Sequence, residues 1–134
     1  MEWAALITWV ATAGGGFVLL AIWLSRGGMR QGTGIRPFLI LSHFLLAATG
    51  LVIWIAYVAT DNDSLAWIAF VILAVVALLG WTMFAIWYQR RTGVGAVDPG
   101  TAEQHFPVPI VALHGVLAVT TVVLVLLTAL GVGS

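Results

Sequence analysis

Apolar residues fall in four long blocks, roughly 3–24, 37–60, 65–88 and 107–131, separated by short polar segments. At about 1.5 Å of rise per helical residue, each block is long enough to cross a hydrocarbon layer of about 30 Å. None shows the alternation of a barrel strand, and within lipid only helices and closed barrels satisfy their own backbone polar groups. The pattern predicts an all-helical membrane protein, with a single four-helix transmembrane domain over 1–134. The first block starts too near Met1 and runs too long for a removable leader with a charged head and small-residue cleavage site, so it is expected to belong to the mature fold.

Composition strengthens this picture. Of the 134 residues, 62% are hydrophobic and 7% charged, and the mean hydropathy is +1.12. A soluble domain of this size has no interior large enough to hide so much apolar surface. The five basic residues, all arginine, lie between blocks 1 and 2 (Arg26, Arg30, Arg36) or just after block 3 (Arg90, Arg91), whereas the second connection carries only Asp61 and Asp63. Basic residues collect on the cytoplasmic side of a bacterial plasma membrane, so both termini are expected outside. Trp3, Trp54, Tyr57 and Trp67 then fall near the outer interface and Trp23, Trp87 and Tyr88 near the inner one, as in an aromatic belt.

Zero net charge and the lack of lysine leave no basic patch for nucleic acid. The absence of cysteine excludes disulfides and thiolate metal sites. The longest connection, 89–106, is rich in Gly and Pro and reads as flexible and partly interfacial.

The chain also resembles itself. A shift of 64 residues lays block 1 on block 3, matching Trp3, Gly16, Ile22, Trp23 and Arg26 to Trp67, Gly80, Ile86, Trp87 and Arg90. A shift of 71 lays block 2 on block 4, matching His43, Leu46, Ala47 and Thr49 to His114, Leu117, Ala118 and Thr120. Two copies of a helical hairpin, about 1–60 and 65–131, are expected, related by a pseudo-twofold axis along the membrane normal. His43 and His114 would then lie at one depth, about 10 Å from the inner boundary, facing each other across the bundle.

Ionisable groups within a span are costly and normally face the interior. A hard or borderline metal ion would need further carboxylate or imidazole ligands, and no carboxylate lies within any block. Haem iron needs only two axial ligands from the protein, since the porphyrin supplies four nitrogens. Along the histidine helices the positions one and two turns on are small: Ala47 and Gly50 after His43, Ala118 and Thr121 after His114. Gly14, Gly15, Gly16 and Gly80 permit close approach by a backbone or a ligand. Arg36, Arg30, Arg90 and Arg91 are candidate partners for the propionates, Arg36 being best placed because it directly precedes block 2. His105 is expected in an interfacial loop, with a metal site or a proton relay to a quinone, shared with Glu103, as its other use.

The paired His43 and His114 on co-oriented helices resemble the arrangement in bis-histidine membrane b-type cytochromes. That resemblance implies one haem b per chain, held by His43 and His114. It also implies electron relay near the cytoplasmic side to a quinone or a partner redox protein, with the chain a subunit rather than a self-contained enzyme. No second histidine pair occurs near the outer side. A homo-oligomer or membership of a larger membrane redox complex is expected, assembled through the glycine-rich face of block 1. Two other classes compete: a small four-helix transporter or channel with a histidine proton site, and an accessory membrane subunit whose histidines only tie helices together.

Overall fold

The computed structural model describes residues 1–92 and 100–133. Among these, the secondary structure is helical: α1 (Glu2–Ser25), α2 (Pro37–Thr60), α3 (Asp63–Arg91) and α4 (Val108–Ala129), with short 3-10 turns at Gly28–Arg30 and Ala102–His105. Each long helix is apolar and long enough to cross a membrane. Most of the apolar surface faces outward, with Ile7, Phe38, Leu45, Val52, Leu78 and Val116 among the exposed large side chains. The seven residues 93–99, within the connection expected to be flexible, lie outside the described residues.

Local chemistry sets the helix ends. Pro37 begins α2 after Arg36 in extended conformation, because proline needs no N–H partner in a first turn and pushes its predecessor out of the helical region. Asp61 ends α2 in the left-handed region at φ 53°, and the Asn62 side chain accepts the N–H of Ser64 at 3.0 Å to start α3. The reversal therefore takes two residues. Asp63 in the first turn of α3 and Arg90 and Arg91 in its last oppose the helix dipole, which lets α3 continue past the apolar block. Hydroxyls inside the helices are satisfied locally: Thr12, Thr49, Thr82, Thr120 and Thr128 each donate to the carbonyl four residues back.

α2 packs chiefly along α3, and α1 along α4. The half of the bundle nearest the α2–α3 reversal holds the main core: Ala5, Trp9, Trp54, Tyr57, Ala66, Ala69, Leu73, Val76 and Val125. Trp9 and Trp54 lie with ring centroids 6.4 Å apart, and Trp54 donates its indole N–H to the Glu2 carbonyl at 3.3 Å. A Cβ on Gly50 would stand 3.1 Å from the Trp9 ring, so the missing side chain there is what seats the indole.

The aromatic belt is only partly realised. Trp3, Trp67 and Tyr88 are exposed, but Trp23, Trp54, Tyr57 and Trp87 are buried. A thin four-helix bundle gains more by filling its axis with large rings than by spreading all of them over the surface.

The opposite end, which carries the arginines, is closed by the two longer connections. Glu103 is fully buried and accepts the Ile35 backbone N–H at 2.9 Å and the Gln31 side-chain amide at 2.8 Å. Gln31 in turn accepts the Ala102 N–H at 2.8 Å. Gly34, at φ +84°, lies directly against the Glu103 carboxylate, so that a Cβ would overlap Oε1. Around this clamp Trp23, Ile35, Thr101 and Ala102 are buried. The second half of the long connection is thus a folded lid. This differs from the flexible, interfacial segment its Gly and Pro content predicts, because one carboxylate with two N–H donors anchors it.

Candidate functional site at the paired histidines

Between the aromatic core and the lid lie His43 of α2 and His114 of α4, with ring centroids 6.4 Å apart and ring planes inclined at 67°. Each ring is anchored at one nitrogen to the helix beside it. His43 Nδ1 lies 3.0 Å from the Val76 carbonyl of α3, and His114 Nδ1 lies 2.8 Å from the Thr12 carbonyl of α1. A carbonyl oxygen only accepts, so Nδ1 carries the proton in both rings. In a neutral imidazole the other nitrogen, Nε2, then keeps its lone pair. This is the usual second-sphere arrangement of a metal-bound histidine, in which one ring nitrogen donates to the protein and the other is left for a metal.

Glycine makes room for each ring. A Cβ on Gly16 would stand 3.1 Å from His114 Cε1, and one on Gly80 would stand 3.2 Å from His43 Cε1. Gly15 also abuts His114 at 3.5 Å, whereas Gly14 faces open space. Two of the three consecutive glycines in α1 are therefore spent on the histidine, and one is left on the outer surface.

The other sequence candidates scatter around the pair. Gly50 is taken up by Trp9 and Ile72, and Ala47 packs against the aromatic core. Thr121 is buried; it donates to Leu117 at 2.8 Å and meets the Thr12 hydroxyl at 3.3 Å. Ala118, one turn from His114, is half-buried. Arg30 and Arg36 are exposed. Arg90 and Arg91 come together with Trp87, Glu103 and Gln104 around a cleft of ≈ 200 Å³, the Arg91 guanidinium lying 5.6 Å from the Trp87 ring centre. His105 is exposed while Glu103 is turned inward to Gln31 and Ile35, so these two do not share a site. Among the described residues no group of three or more metal-ligating side chains occurs.

Three features escaped the sequence reading: the Gln31–Glu103 clamp, and the buried indoles of Trp23 and Trp87, whose N–H groups have no partner. A signal for the first was present in Glu103 itself, an acidic residue on the arginine-rich side of the chain. Comparison of the chain with protein-family models, with curated proteins and with solved structures gives no match.

Proposed function

We propose that the chain is an integral membrane protein that carries one haem b, with His43 and His114 as axial ligands, and relays single electrons to or from a quinone or a partner redox protein. The observation that carries this reading is the pair of rings 6.4 Å apart, each with Nδ1 committed to a backbone carbonyl. Two imidazoles bound to one metal at the ~2 Å length of a histidine–metal bond have ring centres roughly 6 Å apart. The donor set therefore fits a metal whose remaining coordination comes from elsewhere, as a porphyrin supplies it. When bound, haem would supply a one-electron Fe(III)/Fe(II) couple. The chain's own contribution is to hold both rings in one tautomer through Val76 and Thr12, to seat them against Gly16 and Gly80, and to keep water away with the aromatic core.

A repeated spacing supports the reading. The carbonyl acceptors Thr12 and Val76, the glycines Gly16 and Gly80, and the buried Trp23 and Trp87 are three pairs separated by the same 64 positions. We read the bundle as two helical hairpins about a pseudo-twofold axis along the membrane normal, with the arginine-rich end cytoplasmic and both termini outside. Arg90 and Arg91, and less directly Arg30 and Arg36, then lie at the end nearer any propionates.

The same two hydrogen bonds favour one second reading. They tie α2 to α3 and α4 to α1, which is what histidines serving only as interhelical bolts in an accessory subunit would do. Titration of haem into detergent-purified apoprotein separates the two. One equivalent per chain, with a sharp Soret band and narrow dithionite-reduced visible bands, is expected of the carrier. No spectral change on titration would leave the bolt.

A further inference from the structure

The cleft at the arginine-rich end of α3 has a chemistry of its own. Its walls are Trp87, Arg90, Arg91, Glu103 and Gln104. Glu103 lines it as well, its two oxygens accepting from Ile35 and Gln31. Two guanidinium groups against one carboxylate give the cleft a cationic balance. Trp87 is 6% exposed and its indole N–H is buried beneath the surface, so the arginines supply the donors within reach. Two guanidinium groups lining one cleft call for a ligand that is anionic and accepts hydrogen bonds. Phosphate oxygens meet both conditions, and guanidinium groups grip them in pairs.

The outer face of α3 narrows the source of that phosphate. Trp81, Phe84 and Tyr88 are all exposed and lie at i, i+3 and i+7, so they form one stripe leading to the end where Arg90 and Arg91 sit. Phe84 stacks on Tyr88 with centroids 6.0 Å apart and meets Trp81 edge-on at 5.6 Å. An aromatic track ending in a cationic cleft matches the two parts of a phospholipid, acyl chain and head group. A free phosphate would use the cleft and leave the track bare.

We infer that the Trp87–Arg90–Arg91 cleft binds the phosphate of an anionic phospholipid whose acyl chains lie along Trp81, Phe84 and Tyr88. This rests on the membrane placement proposed above, and not on the haem.

The test is retention of lipid by the full chain, purified from membranes and exchanged into micelles containing phosphatidylglycerol and phosphatidylcholine, read by native mass spectrometry. The wild-type protein should favour phosphatidylglycerol about tenfold. Arg90→Gln with Arg91→Gln should bring the ratio near one, and Arg26→Gln with Arg30→Gln, which removes as much charge from the other connection, should leave it intact. Equal loss in both double variants would mean diffuse attraction and would overturn the site. Inorganic phosphate should leave the lipid bound; displacement at millimolar phosphate would assign the cleft to the free ion. Failure of the chain to fractionate with membranes would instead remove the placement itself, before any lipid is measured.

Discussion

His43→Ala and His114→Ala are each expected to abolish haem binding while leaving a folded bundle. On the proposed ligation either substitution would remove one of two axial ligands, and the remaining imidazole would give at best a five-coordinate iron with a broadened, shifted spectrum and weak retention. The structural cost is small by comparison. The carbonyls of Val76 and Thr12, which accept from the two rings, lie within helices that already supply them an N–H donor. Losing the side-chain bond therefore costs about 1 kcal/mol. Spectral titration beside thermal unfolding in the same detergent checks both halves. Loss of colour with the unfolding midpoint of the apoprotein nearly unchanged is the expected pair of results. A large drop in that midpoint with no haem bound by the wild type would favour histidines that serve only as bolts. His43→Gln and His114→Gln sharpen the comparison, since glutamine still bonds a neighbouring carbonyl but is a poor iron ligand.

The largest effect on stability is expected at the lid. Glu103→Ala leaves the Ile35 N–H and one N–H of the Gln31 amide, which donate to the carboxylate at 2.9 and 2.8 Å, without an acceptor in a buried setting, while the amide keeps its 3.2 Å bond to the Ile35 carbonyl. Each unsatisfied donor costs about 1–3 kcal/mol, so the lid should detach from the first connection. Gly34→Ala is expected to fail for a different reason. Its φ of +84° disfavours any side chain, and the new Cβ would fall on the Glu103 carboxylate. The combination Gly34→Ala with Glu103→Ala removes the collision but not the strained backbone. It should therefore be less destabilised than the two single effects added together, a coupling readable from unfolding midpoints. Simple additivity would mean that Gly34 and Glu103 do not meet.

The four helices were legible because apolar runs of this length have one backbone solution in lipid, and because prolines such as Pro37 and Pro109 suit the first turns in which the structure places them. The closeness of the two histidines was also within reach, since repeated spacing gives side chains at matched depth. What each histidine bonds was not. The Val76 and Thr12 carbonyls belong to backbone, and no residue type announces which carbonyl a ring will find. Gly50 illustrates the same limit: one turn pattern serves equally to admit a ligand or to seat Trp9, and only packing decides between them. The lid was hidden because its closure depends on a single carboxylate reaching a segment 68 to 72 positions away, against a local composition that reads as loop. Trp23 and Trp87, expected in an interfacial belt, are buried instead, since which way a side chain faces follows from its neighbours and not from counting residues.

The central claim, two imidazoles closing both axial positions of one iron, is tested most directly by adding carbon monoxide to the dithionite-reduced holoprotein. With His43 and His114 both bound, no open position remains, and the reduced spectrum should be unchanged over minutes, whereas His43→Ala or His114→Ala that retained any haem would take up the gas at once. A rapid shift of the wild-type Soret band to that of a carbonyl complex would show an iron with only one firm protein ligand and would contradict the account.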